Sequence, residues 1–132
     1  MSENDKKKVM DPKIPSGPNY KITLDGGEWQ SEISWELLNS TNDVVLSGGA
    51  PFSNDSVYLE NGDYTLEMVD SYGDGWNGNF FKVIQAAGTT VNEDYTLFET
   101  TLASGSYEEV EFTLPINIPP YIDQYINSFS ND

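Results

Sequence analysis

The sequence predicts an all-β protein: an antiparallel, jelly-roll-like β-sandwich with an extended N-terminal arm and a short C-terminal tail. Three observations lead there. Apolar and polar residues alternate with a period of two in several short runs, those runs are rich in β-branched and aromatic side chains, and clusters of Gly, Asn, Asp and Ser separate them. At 132 residues, 37% of them apolar, the chain can build the core of one domain and little more.

Residues 1–19 form the arm. Pro12, Pro15 and Pro18, with Ser16 and Gly17, make a composition that cannot pack a core, and Lys6, Lys7 and Lys8 add a basic run. This arm is either a loose terminus or a segment that docks on a neighbour. The residues after Met1 lack the apolar run of a secretory signal, and no stretch is long and apolar enough for a membrane-spanning helix.

The sandwich is expected over residues 20–115, with strands near Tyr20–Leu24, Glu32–Leu38, Val44–Ser47, Val57–Leu59, Asp63–Val69, Phe80–Ala86, Tyr95–Thr100 and Glu108–Leu114. Ile33, Trp35 and Leu37 point to one side of their strand while Glu32, Ser34 and Glu36 point to the other. Tyr64, Leu66 and Met68 alternate with Thr65 and Glu67, and Val110, Phe112 and Leu114 with Glu109, Glu111 and Thr113. Each strand therefore has a buried and a wet face, and two sheets laid face to face hide the apolar sides. No long helix is expected there.

Residues 116–132 form the tail. Pro115, Pro119 and Pro120 end the last strand, after which Tyr121, Ile122, Tyr125, Ile126 and Phe129 fall at the spacing of a short amphipathic helix. The segment either packs back on its own sandwich or docks on a partner.

Charge restricts the chemistry. There are 22 acidic residues against 6 basic ones, with no histidine and no cysteine, for a net charge of -16. Nucleophile pairs built on histidine, ordinary zinc sites and disulfides are thereby excluded, so any bound metal must be held by oxygen, which favours calcium or magnesium. The chain has no arginine, and from Ile22 onward Lys82 is the one base against 19 acids. Nucleic acid and anionic membrane surfaces are poor partners for such a body. Its self-repulsion should weaken with ionic strength or a bound cation.

The string Asp70-Ser71-Tyr72-Gly73-Asp74-Gly75-Trp76-Asn77-Gly78-Asn79 carries the candidate chemistry. Gly73, Gly75 and Gly78 permit a tightly coiled backbone on which oxygens converge; Asp70 and Asp74 are hard anionic ligands and Asn77 a neutral one. It is no EF-hand, because the twelfth position counted from Asp70 is Phe81. The alternative is a glycine-rich hairpin with solvated aspartates.

That string, preceded by Gly62-Asp63-Tyr64-Thr65-Leu66, resembles the G-x-Y-T-L-x-x-x-D-S-Y-G-D-G-W-N-G signature of a β-sandwich module found in secreted proteins of marine bacteria and algae and in marine phage (cyanophage-like) structural proteins. Ser31-Glu32-Ile33-Ser34-Trp35-Glu36-Leu37, followed by Val44-Val45 and Gly48-Gly49, resembles the module's second motif. The resemblance spans roughly residues 22–91. It implies a calcium-stabilised sandwich with Asp70 and Asp74 as ligands and Glu32 as a third carboxylate. The module's Asp-Asn-Tyr-Pro run is replaced here by Gly27-Glu28-Trp29-Gln30, which leaves Asp25 and Glu28 as alternatives for completing the site.

Three functions are weighed. Glycoside hydrolysis would need a cleft and a carboxyl kept protonated, which a small solvated sandwich rarely provides, so no enzymatic role is expected. A calcium-dependent carbohydrate-binding or adhesion module could use Trp29, Tyr72 and Trp76 as a stacking platform. The expected role is a structural protein on a virion surface, either capsid decoration or cement or a small tail or fibre component. It would grip the major capsid or tail protein, or another copy of itself, through Lys6 to Lys8 and the apolar residues of the tail.

Overall fold

A computed structural model describes residues 19–85 and 94–116 of the chain. Eight strands follow one another: β1 (Asn19–Asp25), β2 (Ile33–Leu38), β3 (Val44–Gly48), β4 (Phe52–Tyr58), β5 (Gly62–Asp70), β6 (Phe80–Gln85), β7 (Tyr95–Thr100) and β8 (Tyr107–Leu114). A one-turn 3-10 helix at Gln30–Glu32 is the one helical element among the described residues. The strands form two antiparallel four-stranded sheets, ordered β4-β1-β6-β7 and β3-β2-β5-β8. The expected all-β sandwich is what forms. Its first and last strands lie in different sheets, whereas a strict jelly roll sets them side by side.

Several boundaries differ from expectation by a residue or more, and two of them have a clear physical origin. Glu32 belongs to the 3-10 turn and not to the strand, because the left-handed backbone of Trp29 (φ 56°) starts a turn closed by the Glu32 N–H on the Trp29 carbonyl at 3.1 Å. The strand expected near Val57 begins at Phe52. Its residues Ser53, Asn54, Asp55 and Ser56 are all exposed polar residues, so no alternation marks them. They are held by main-chain pairing to β1 at the sheet edge.

Alternation decides the core. Ile33, Trp35 and Leu37 of β2, Tyr64, Leu66 and Met68 of β5, and Phe112 and Leu114 of β8 are buried; they meet Ile22 and Leu24 of β1 and Phe81 and Val83 of β6. Trp35 bridges the sheets, edge-on to Phe81 at 5.1 Å and to Phe52 at 5.0 Å, with its indole N–H donating to the Gly49 carbonyl at 3.0 Å. Phe98 and Phe112 stack across the gap at 4.5 Å. Ile116, expected in the tail, packs against this core, so the sandwich runs one residue past Pro115.

At the end of the sandwich where β4 crosses to β5, the Tyr64 hydroxyl donates to the Glu60 carbonyl at 2.6 Å. This is the device of a tyrosine corner, an aromatic side chain tying down a turn four residues upstream. Tyr64→Phe keeps the ring and its stack on Phe112 but leaves that carbonyl without its donor. Urea unfolding should show a loss of about 1 kcal/mol with an unchanged slope.

Candidate metal centre

The opposite end of the sandwich is built from three segments: the turn over residues 25–32, the loop over residues 70–79 and the connection over residues 101–106. Strand pairing brings the first two together. Ile33 of β2 lies opposite Asp70 of β5, and beyond that pair the Ser71 N–H donates to the Glu32 carbonyl at 2.9 Å. Glu32 is thereby placed beside the start of the loop, 38 positions away in sequence.

The loop is organised by Asp70, which is 1% exposed. One carboxylate oxygen accepts the Tyr72 N–H at 3.1 Å; the other accepts those of Gly73 at 3.0 Å and Asp74 at 2.7 Å. Burial acts to raise the pKa of this carboxyl, but the loop N–H groups outweigh it and hold it below the ordinary aspartate value. Coiling around Asp70 returns Asp74 to the same point. The result is that Glu32, Asp70 and Asp74 each bring a carboxylate oxygen to within 4.8 Å of the others. Glu32 pays the electrostatic penalty: burial first, then the charges of Asp70 and Asp74, push its pKa above the usual glutamate range.

The loop is sealed against its neighbours by main-chain bonds. Asp70 N–H donates to Ser106 O, Gly75 N–H to Gly105 O and Trp76 N–H to Leu102 O, at 2.8 to 3.0 Å. At Gly75 (φ 92°) a Cβ would lie 2.8 Å from the carbonyl oxygens of Leu102 and Ala103, so both the backbone angle and the packing demand glycine. Trp76 is fully buried and its indole N–H donates to the Val69 carbonyl at 3.0 Å.

Three of the four expected ligands therefore converge. Asn77 has an exposed side chain, and its carbonyl accepts the Glu28 N–H at 3.1 Å, which fastens the loop to the first turn. Asp25 and Glu28 are not in the carboxylate group. Asp25 instead accepts the Gly26 N–H and the Gln30 side-chain amide, both at 2.8 Å. Among the proposed stacking aromatics, Trp76 is a core residue and unavailable to a ligand, whereas Trp29 is 62% and Tyr72 74% exposed. Lys6, Lys7, Lys8, Tyr121, Ile122, Tyr125, Ile126 and Phe129 lie outside the described residues.

The residue that sequence reasoning missed is Asn79, fully buried behind the loop. Its amide donates to the Glu28 carbonyl at 2.9 Å and the Trp76 carbonyl at 2.8 Å, while its oxygen accepts the Gly27 N–H and the Gln30 amide, both at 2.9 Å. Gly27 lies so close that a Cβ there would sit 2.1 Å from the Asn77 oxygen. The only signal in the sequence was an asparagine just before an apolar strand, which reads as a turn residue.

No protein-family model matches the chain, and neither a curated protein nor a solved structure matches it.

Asn79→Ala should leave the part-buried Gly27 N–H and Glu28 carbonyl without these partners, while the Trp76 carbonyl keeps the residue-79 main-chain N–H at 3.0 Å, costing about 2 kcal/mol in chemical denaturation. The lowered pKa of Asp70 sets an acid limb. Its contribution is complete above the ordinary aspartate value of 3.8 and is lost as pH falls from there through the lower folded-state value. Unfolding free energy followed from pH 5 downward (about one unit above that ordinary value) should fall less steeply in Asp70→Asn than in the unaltered chain.

Proposed function

We propose that the protein is a non-enzymatic, calcium-stabilised sandwich that serves as a structural component of a virion surface, as capsid decoration or cement or as a small tail or fibre component. The observation that carries the calcium part is the convergence of Glu32, Asp70 and Asp74 at one end of the fold. The donor set suits a hard cation: three carboxylates, in a chain without histidine or cysteine to recruit softer metals. The Asp70 oxygen that accepts one N–H keeps a lone pair for an ion, whereas the other already accepts two. A dication would also relieve the repulsion that raises the Glu32 pKa. Bound calcium would supply positive charge that neutralises this end of the sandwich, and it would act on stability and not on bond chemistry.

The virion role rests on the resemblance of the two sequence motifs to the module described above. In it the acidic sandwich faces salty water, and the basic run Lys6 to Lys8 together with Tyr121, Ile122, Tyr125, Ile126 and Phe129 contacts the major capsid or tail protein or a second copy. A second reading, a calcium-dependent glycan-binding module, is favoured by one observation. Trp29 and Tyr72 are both exposed, and each lies within three positions of a residue of the carboxylate triad. Glycan-array binding that disappears in Trp29→Ala, from a protein never recovered in particles, would move the assignment there.

Thermal unfolding in chelator, magnesium, calcium and matched sodium chloride tests the calcium reading. Calcium at a hundredfold excess over its Kd should stabilise by about 2.7 kcal/mol beyond the effect of salt alone. Asp74→Ala should lose that increment. Glu32→Gln should lose it too, yet unfold at a higher temperature than the unaltered chain in chelator, because it removes the repelled charge. A melting temperature indifferent to calcium would sink the reading.

A further inference from the structure

The edge strands of the two sheets, β4, β7, β3 and β8, are not built alike. Three of them carry an extra residue that breaks their pairing with the strand beside them. In β4, Val57 and Asn54 stand opposite Tyr20 and Ile22; in β3, Leu46 and Val44 stand opposite Leu37 and Leu38; in β7, Phe98 and Thr96 stand opposite Val83 and Ile84. Such bulges bend and twist an edge and hinder a further strand from adding to it. β8 has none. It is the longest of the four, it pairs with β5 without a break from Gly62 opposite Leu114 to Val69 opposite Tyr107, and no strand among the described residues pairs with its other side.

The phase of the hydrogen bonds says which groups that open side presents. Next to the strand, the Asp70 N–H donates to the Ser106 carbonyl at 2.9 Å. In an antiparallel ladder, bonding to a given neighbour recurs at every second residue, so Glu108, Val110 and Phe112 turn their main chain toward β5. Tyr107, Glu109, Glu111 and Thr113 therefore turn their N–H and C=O groups to the open edge, and their side chains are exposed. A regular row of this kind is a template for an added strand.

Charge selects what can be added. Glu109 lies opposite Glu67, and Glu67 opposite Glu36, so the acidity of the edge continues across the solvent face of its sheet. Lys21 and Lys82, the lysines among the described residues, are both in the other sheet. An antiparallel second copy of β8 centred on Val110 would set Glu109 against Glu111, and one centred on Glu111 would set that residue against its own copy. Like charges directly opposite one another destabilise a strand pair, whereas opposite charges support it. The edge is thus closed to its own kind and open to a basic strand.

We infer that the open edge of β8 takes up an extended segment of another protein, pairing main chain to main chain along residues 107–113 and setting lysine or arginine side chains, two positions apart, opposite Glu109 and Glu111. The pairing needs neither calcium nor a virion.

Amide hydrogen exchange of the full chain, with and without an acetylated eight-residue peptide alternating lysine and valine, tests it. In the protein alone, the N–H groups of Tyr107, Glu109, Glu111 and Thr113 should exchange faster than those of Glu108, Val110 and Phe112; saturating peptide should slow them by about tenfold or more. A peptide of the same composition, with its lysines in one block and its valines in another, has the same charge without the alternation and should bind about tenfold more weakly. Glu109→Lys combined with Glu111→Lys should abolish binding. Glu111→Pro removes one outward N–H and leaves the ladder to β5 whole, so it should weaken binding more than Glu111→Gln, which removes the charge alone. Slow exchange in β2 and β5 reports an intact fold in each variant. Unchanged exchange at the outward amides, equal binding of the two peptides, or equal binding by Glu111→Pro and Glu111→Gln overturns the proposal. So does slowing that grows with protein concentration in the absence of peptide, which would give the edge to another copy.

Discussion

A carboxylate buried at the end of a strand is the constraint on which one pole of this molecule depends. Asp70 closes β5 with almost no solvent contact, and an ionised group in that position must be hydrogen-bonded or it will not be tolerated. Among the described residues no side chain of opposite charge is bonded to it, so main-chain N–H groups do the work, and three of them can reach Asp70 only if residues 71–74 coil back over it. The glycines make that path possible. The same coil returns Asp74 to the neighbourhood of Asp70, and strand register adds Glu32. Satisfying one negative charge thus assembles two more around it.

The arrangement is electrostatically one-sided. Backbone dipoles stabilise Asp70, while Glu32 meets two like charges and, among the described residues, no compensating base. Asn79 carries the mechanical side of the balance. By bonding to Gly27, Glu28, Gln30 and Trp76 together, it locks the two acidic segments side by side and prevents the loop from swinging away. Buried Trp76 pins the loop from below. What would otherwise spring apart is held by neutral hydrogen bonds and packing.

Much of the fold was legible. Ile33, Trp35 and Leu37, like Tyr64, Leu66 and Met68, face the core as their spacing says, because a pleated strand sends alternate side chains to opposite faces. β4 was legible only at its C-terminal end, since Ser53 to Ser56 are polar on both faces and pair by main chain alone. Of the site, Asp70 and Asp74 could be picked from the glycine-rich string. Asn77 looked equally good as a ligand but supplies its carbonyl to Glu28, and Trp76 looked like a stacking surface but is core. Whether a loop side chain turns in or out is set by the surface beneath the loop, which the string does not encode.

The amino-acid sequence by itself determined the class of fold, the strongly acidic body and the restriction to oxygen ligands, because composition and period-two alternation are local properties that any reader of the chain can count. Only the tertiary structure decided which carboxylates meet. Glu32, the third carboxylate that the resemblance implied, joins Asp70 and Asp74 through the β2–β5 register, while Asp25 and Glu28, equally acidic, are left aside. It likewise decided that Asn79 is the fastening of the site. Pairing register and close packing are long-range, since each depends on residues dozens of positions apart settling against one another, and no local pattern records where they settle.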